Sequence, residues 1–146
     1  MEIHTEIEIN ASADAVYKVL TDFASYGSWN PVITKIEGSP SVGGSVSFSL
    51  KAAPMIELPI PSCEVLVASG RELRWKGPSI PVLDLVLSGE HYFIIQEAGE
   101  KKVRFVHGEN FTGFAAKVLE PLLQQRITES YSTMNRALKD RCEGRA

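Results

Sequence analysis

The sequence lacks several features that define specialised classes of protein. It contains only two cysteines, Cys63 and Cys142, which are too far apart for a zinc knuckle or a disulfide framework, so we interpret both as reduced thiols. No apolar run approaches the roughly 20 residues needed to span a bilayer. The first ten residues alternate in polarity, unlike a signal peptide. We therefore expect a cytoplasmic protein that does not insert into membranes.

An excess of positive charge is also missing. The chain has 15 Lys and Arg against 18 Asp and Glu, and this balance disfavours nucleic acids and anionic membranes as partners. Apolar residues make up 44% of the sequence, enough for one sizeable core. The length is typical of one domain, so residues 1–146 are expected to fold as a single unit.

The N-terminal part predicts a strand followed by short helices. Isoleucines alternate with polar residues over 2–10, which is the period of a half-buried strand. Ser12 can cap a helix that runs to about Thr21. A second, irregular helical turn is expected to end before Pro31.

The middle of the chain predicts six more strands, divided by Gly and Pro clusters. They are placed at 32–38, 45–52, 62–69, 71–77, 83–97 and 101–111. After Gly113, apolar residues recur in steps of three and four for about thirty residues, which predicts a long helix covering the sheet. The expected fold class is α+β: a curved seven-stranded antiparallel sheet, two short helices and a long C-terminal helix.

Five motifs lie on this framework. They are A-S-A-D-A-V-Y-K-V-L-T-D-F at 11–23, W-N-P at 29–31, L-R-W at 73–75, G-E-H-Y-F at 89–93 and H-G-E-N-F-T-G at 107–113. Over essentially the whole chain, the motifs and the order of elements resemble the polyketide cyclase/dehydrase and lipid-transport branch of the START-like (SRPBCC) superfamily. The resemblance implies a helix-grip fold with an internal cavity. It leaves the function open, because the superfamily includes lipid carriers, hormone receptors, cyclases and co-chaperone domains.

Strand alternation places polar residues on the concave face of the last two strands. In 83–97 the odd-numbered, mainly apolar set faces inward and includes His91. In 101–111 the inward set includes His107 and Glu109. We therefore expect a polar cluster inside an otherwise apolar wall.

The register of these two strands depends on the loop between them. A three-residue loop containing Gly99 places His107 opposite either His91 or Gly89, and both registers keep the histidines and Glu109 together. The neighbouring strand is expected to add three inward side chains: Arg71, Leu73 and Trp75.

Longer loops gather at one end of the predicted sheet. Segments 52–61 and 77–82 carry more apolar surface than a connector in water needs, so we interpret them as flaps over a pocket entrance. The alternative is that they plug one end of the core. The predicted ligand-binding residues are Phe48, Met55, Arg71, Trp75, Ile80, His91, Phe93, His107, Glu109, Phe111, Phe114, Leu122 and Tyr131.

The polar cluster has four possible roles. His91, His107 and Glu109 can hydrogen-bond one another as part of the core, or orient the polar end of a ligand in a mostly apolar pocket. His91 and Glu109 are the candidates for a general acid and base. Two histidines and a carboxylate can also bind a metal, but no cofactor-binding motif accompanies them, so we predict no metal and no cofactor.

The expected function is binding or carriage of a small, mostly hydrophobic, amphipathic molecule. One alternative is an aromatase/cyclase-type enzyme that acts on a polyketide-like substrate in the same cavity. Another is a protein-interaction module with a filled cavity. The predicted outer face of the sheet is charged, which favours a monomer or a weak homodimer. Its charged residues are Glu64, Glu72, Arg74, Lys76, Glu90 and Arg104.

Overall fold

Seven antiparallel strands form a single curled sheet in this protein, for which a computed structural model describes residues 1–145. The strands are β1 (Glu2–Ile9), β2 (Ile33–Gly38), β3 (Ser45–Ala53), β4 (Ile56–Ala68), β5 (Glu72–Gly77), β6 (Ser88–Gly99) and β7 (Lys102–Thr112). Their order in the sheet is β1-β7-β6-β5-β4-β3-β2. The predicted meander is thus confirmed, and β1 extends it beside β7.

The helices pack against the concave face and ends of this sheet. They are α1 (Ala13–Thr21), α2 (Tyr26–Trp29), α3 (Leu83–Val86) and α4 (Phe114–Glu143), with a 3-10 turn at Phe23–Ser25. Ser12 caps α1 as predicted, because its Oγ accepts a hydrogen bond from the Ala15 N–H at 3.2 Å. A curled sheet held around a long C-terminal helix is the helix-grip architecture expected from the sequence.

The segment 52–61 is not the flap that we predicted. It belongs mostly to a long β3–β4 hairpin, whose Cα pairing continues to Ala53 opposite Ile56. Pro59 and Pro61 suggested a loop, but β4 pairs with β5 only from Glu64 onward. The first half of β4 therefore has a free edge, where proline removes no hydrogen bond from the sheet.

The start of the predicted strand 83–97 is also wrong. Leu83 to Val86 form the helical turn α3, and Leu83 and Leu85 are exposed instead of facing the core. The preceding Val82 has a φ of 75°, which turns the chain out of the extended conformation that a strand requires. Strand β6 begins only at Ser88.

Helix α4 is packed mainly along its C-terminal half, and Ala116 is the buried residue of its N-terminal half. Tyr131, Met134 and Leu138 are buried against the sheet, as the apolar stripe predicted. Phe114 and Leu122 in the N-terminal half are 71% and 73% exposed. These two residues were predicted to line the pocket, but they lie on a face of the helix that stays open to solvent.

Two identical substitutions on α4 test this division. Leu138→Ala removes a side chain with no exposed surface and is expected to lower the free energy of unfolding by about 2 to 5 kcal/mol. Leu122→Ala truncates an exposed side chain, so its effect should stay within about 0.5 kcal/mol. Urea unfolding followed by circular dichroism measures both. Equal losses in the two variants would mean that the N-terminal half also packs on the sheet.

Candidate functional site

The three strands β5, β6 and β7 carry aromatic and polar side chains on the concave face. Trp75, His91 and Glu109 lie side by side across the strands, because His91 is the Cα partner of both others. In the next inward row, Phe93 pairs with His107. The predicted inward positions of these five residues are confirmed.

The register of β6 and β7 differs from both predicted registers, since His107 lies opposite Phe93 and not His91 or Gly89. The turn has two residues, and Gly99 pairs with Lys102. A β-bulge between Glu97 and Gly99 then shifts the register by one residue. This bulge keeps odd-numbered residues opposite one another, so the polar side chains still meet inside.

A chain of polar contacts, which we call the polar chain, connects α4 to the end of the sheet. Asn135 Nδ2 donates to Thr5 Oγ1 at 2.8 Å, and Thr5 Oγ1 donates to the carbonyl oxygen of His107 at 2.7 Å. His107 Nδ1 lies 2.8 Å from Asn135 Oδ1. The two Nε2 atoms of His91 and His107 are 2.7 Å apart. His91 Nδ1 lies 3.3 Å from Glu109 Oε1.

The partners of each nitrogen assign the protons along this chain. Asn135 Oδ1 can only accept, so His107 Nδ1 carries a proton. Burial, and next the positive charge of a protonated His91, hold the pKa of His107 well below its ordinary value. The His107 ring is therefore neutral, and its Nε2 accepts the proton of His91 Nε2. His91 Nδ1 then faces Glu109 Oε1 at 3.3 Å.

Tyr131 connects α4 directly to the carboxyl group of Glu109. Its hydroxyl donates to Glu109 Oε1, and its ring stacks on that of His107 with the centroids 4.3 Å apart. Burial, and next the charge of Glu109, raise the pKa of Tyr131 well above its ordinary value, so the phenol stays protonated. Glu109 Oε1 thus accepts a hydrogen bond from the helix and lies 3.3 Å from His91 Nδ1.

The second oxygen of Glu109 lies above Gly89, where a Cβ would be 1.8 Å from Oε2. Glycine at this position therefore makes room for the carboxyl group. Among residues 1–145, none forms a hydrogen bond with Oε2. The oxygen lies beside a depression of about 240 Å³, which we call the notch. The notch is lined by Gly77, Pro78, Leu83, Val86, Leu87, Ser88, Gly89, Glu109 and Phe111.

The notch is small and mostly apolar. Its volume of about 240 Å³ is below the roughly 300 to 1,000 Å³ of most ligand pockets, so it has room for a ring or for part of a longer molecule. Glu109 is the single ionisable residue in its wall. Deeper space is filled by rings, because the centroid of the His91 ring lies 4.7 to 5.2 Å from the ring centroids of Trp75, Phe93, His107 and Tyr131.

Arg71 does not join the polar cluster, contrary to our prediction. It precedes β5 in a turn, outside the strand alternation from which we inferred its direction. Its guanidinium pairs instead with Asp14 at 2.9 Å and Glu97 at 3.5 Å. Met55 also lies away from the site, at the tip of the β3–β4 hairpin, where it is 95% exposed.

The other predicted residues lie at different distances from the notch. Phe111 lines it. Phe48 is half-buried, and its ring lies 5.6 Å from that of Trp75, behind the site. Ile80 lies in the loop before α3 and is not part of the notch wall.

Three residues of the site were missed by the sequence analysis. Asn135 is fully buried and occupies a position four residues after Tyr131 in the apolar stripe of α4. Thr5 lies between inward-facing isoleucines in β1. A polar residue at such a position is the signal that would have found both. Gly89 interrupts the inward set of β6, and its role follows only from the position of Glu109.

Other kinds of site find little support in the described chain. Within residues 1–145, no three His, Cys, Asp or Glu side chains are arranged to hold a metal ion. The Nε2 atoms of the histidines also face each other instead of converging on a shared ligand position. In the same range, no helix is both long and apolar enough to cross a bilayer.

The lowered pKa of His107 predicts a pH-dependent stability. The unfolded chain takes up a proton near pH 6.5 and the folded chain does not, so the free energy of unfolding falls as the pH drops below 6.5. The slope from one such group is up to about 1.4 kcal/mol per pH unit. His107→Gln should flatten the curve between about pH 6.5 and 5, whereas His4→Gln on the outer face should preserve it. Urea titrations across this range measure the slope, and an unchanged slope in His107→Gln contradicts the assignment.

The comparisons with known proteins agree on the fold. A START superfamily protein from Mycobacterium smegmatis superposes with a TM-score of 0.76 at 17% identity, covering 99% of both chains. Norcoclaurine synthase from Thalictrum flavum, in complex with dopamine and hydroxybenzaldehyde, gives a TM-score of 0.71 at 18% identity, covering 100% of this chain and 88% of that one. The di-domain ARO/CYC StfQ of the steffimycin biosynthetic pathway gives a TM-score of 0.72 at 12% identity, covering 99% of this chain and 51% of that one.

At these identities the structural matches support the fold alone. A search of curated proteins finds no match to this sequence. The family model for polyketide cyclase / dehydrase and lipid transport matches residues 1–143, which confirms the resemblance noted in the motifs. The chain therefore belongs to the polyketide cyclase / dehydrase and lipid transport family.

Proposed function

We propose that the protein binds a small, mostly apolar molecule, with the polar end on Glu109 and the apolar body in the notch. The observation that carries this proposal is the unshared oxygen Oε2 of Glu109. It lies beside an apolar depression, while the other oxygen, Oε1, accepts from Tyr131. Ligand sites typically combine apolar walls with a few fixed polar groups. Membership of a family named for cyclases and lipid transport supports the same class of ligand.

In this proposal Glu109 contacts the ligand and the histidines position Glu109. His91 and His107 are 2% and 0% exposed, and neither lines the notch. Trp75 and Phe93 are also buried and fill the space behind the site. The ligand is therefore bound near the end of the sheet and not in the centre of the curl.

Helix α3 is the part of the notch wall best suited to move. It has only four residues, and Leu83 and Val86 cover the notch while Leu85 is 66% exposed. A short turn with few buried contacts opens at low cost compared with the sheet. Displacement of α3 would enlarge the notch for a ligand longer than one ring.

Catalysis is a second candidate function, favoured by the short distance of 3.3 Å between His91 Nδ1 and the Glu109 carboxyl group. A carboxylate backed by a histidine and open to an apolar site can act as a general base on an enolisable, polyketide-like substrate. Among proteins of similar fold, norcoclaurine synthase is an enzyme by name. Here Glu109→Gln would abolish turnover and leave binding of a product analogue largely intact. Loss of binding together with turnover would favour the binding role.

Filling the notch tests the binding proposal. Val86→Trp adds bulk to the notch wall, so the affinity for the fluorescent apolar probe N-phenyl-1-naphthylamine should fall at least about tenfold, equivalent to about 1.4 kcal/mol. Leu85→Trp is the matched control, since it makes the same change on the exposed side of α3. Fluorescence titration measures both. Equal affinities in the wild type and Val86→Trp would place the probe elsewhere and contradict the proposal.

Extraction of the purified protein identifies a natural ligand directly. We expect mass spectrometry of an organic extract to show a small apolar compound at up to one molecule per chain, and Val86→Trp to carry less of it. A compound retained equally by Val86→Trp and Leu85→Trp would not occupy the notch.

A further inference from the structure

We infer that the polar end of the ligand is a hydrogen-bond donor without negative charge, as in an alcohol, a phenol or an amine. The inference rests on the proposed function and adds the chemical class of the ligand. It follows from the number of donors that reach each oxygen of Glu109 and from the charges around the notch.

The two oxygens of Glu109 have different surroundings. Oε1 accepts from the Tyr131 hydroxyl and lies 3.3 Å from His91 Nδ1. Oε2 has no hydrogen-bond partner among residues 1–145, although the side chain is only 12% exposed. A ligand in the notch excludes water from this oxygen, and an acceptor that loses water without gaining a donor destabilises the complex. A ligand donor removes this penalty, and a ligand acceptor does not.

His91 cannot turn to serve a ligand acceptor. Its Nε2 proton is directed to His107 at 2.7 Å, and its Nδ1 faces Glu109. Rotating the ring would leave buried nitrogens of both histidines without partners. The polar chain therefore presents an oxygen to the notch and keeps its N–H groups inside.

An anionic ligand has no counter-charge in the notch. No Lys or Arg lines it. Lys76 belongs to a neighbouring depression on the outer side of β5, and Arg71 is paired with Asp14 and Glu97. A carboxylate, phosphate or sulfate in the notch would therefore face the acceptor oxygen Oε2 of Glu109 in apolar surroundings, with no Lys or Arg in the wall to pair with it.

Ser88 is the other polar residue in the notch wall. Its hydroxyl is buried without a hydrogen-bond partner in the described chain. Because a hydroxyl both donates and accepts, it can assist either class of ligand. Glu109 therefore determines which class binds better.

Three naphthalene probes of similar size separate the classes. At pH 7, 2-naphthol offers a neutral donor, 2-methoxynaphthalene has the same ring without a donor, and 2-naphthoate is an anion. We expect 2-naphthol to bind at least about tenfold more tightly than either of the others, the size of effect expected for a hydrogen bond to a charged acceptor. Isothermal titration calorimetry at constant salt measures all three affinities.

Glu109→Gln should abolish the difference in affinity between 2-naphthol and the other two probes. Its amide oxygen can still accept from Tyr131, which leaves the amide nitrogen in the place of Oε2 and presents a donor to the notch. The preference for 2-naphthol over 2-methoxynaphthalene should fall to about twofold or less, and 2-naphthoate should gain at least about tenfold in affinity. Glu64→Gln is the matched control, since it removes one carboxylate from the outer face of β4 and should preserve the wild-type order.

A second variant leaves the charge in place. Gly89→Ala puts a Cβ where Glu109 Oε2 lies, so the carboxyl group must shift and the preference for 2-naphthol should weaken. Circular dichroism melting curves show whether each variant is folded.

The outcomes separate the inference from the proposed function. Equal binding of all three probes to the wild type, or tightest binding of 2-naphthoate, overturns the inference and leaves binding in the notch intact. Failure of every probe to bind overturns both. An order that persists in Glu109→Gln also overturns the inference, because another group would then select the donor.

Discussion

The contact between the Nε2 atoms of His91 and His107 organises the interior of this protein. These two nitrogen atoms are 2.7 Å apart and both rings are almost fully buried, so one nitrogen must donate and the other must accept. This requirement is met because Asn135 Oδ1 accepts the Nδ1 proton of His107, which leaves His107 Nε2 as the acceptor. On the other side, His91 Nδ1 lies 3.3 Å from Glu109. Each neighbour is thereby committed to a single orientation.

The same contact helps to fix the position of α4 on the sheet. Asn135 and Tyr131 are the residues of α4 that enter the polar chain, and both lie in the half of the helix that is packed. Buried polar groups destabilise a core unless all of them are paired, so the helix cannot slide along the sheet without breaking several bonds at once. The apolar residues Met134 and Leu138 bury surface on the same side. Packing and hydrogen bonding therefore specify one position for α4.

Much of this arrangement was visible in the sequence. Strand alternation correctly placed His91, His107 and Glu109 on the inner face, because that face follows from the two-residue period alone. The predicted register of β6 and β7 was wrong because the true register depends on a bulge at Ala98, which no pattern in the loop sequence indicates. Arg71 was misplaced because alternation was extended one residue beyond the start of β5.

Neither the position of the pocket nor most of its wall could be predicted from the sequence, and Glu109 and Phe111 are the predicted residues that line it. The sequence indicated an amphipathic interior, but aromatic rings fill that interior, and the open space lies at the end of the sheet beside Gly89. Side-chain volume in a curved sheet depends on how far the strands curl, and a pattern of residue types does not contain this information. The exposed half of α4 is a similar case, since its stripe of apolar residues continues past the point where the sheet can cover it.

The polar chain also ends inside the protein. Its last link is the hydrogen bond from Thr5 to the backbone carbonyl of His107, an oxygen that carries no exchangeable proton. Within residues 1–145 the polar chain is therefore closed at its inner end and reaches the surface at Glu109. Protons cannot pass along it from one face of the fold to the other, so exchange with solvent along this chain takes place beside the notch.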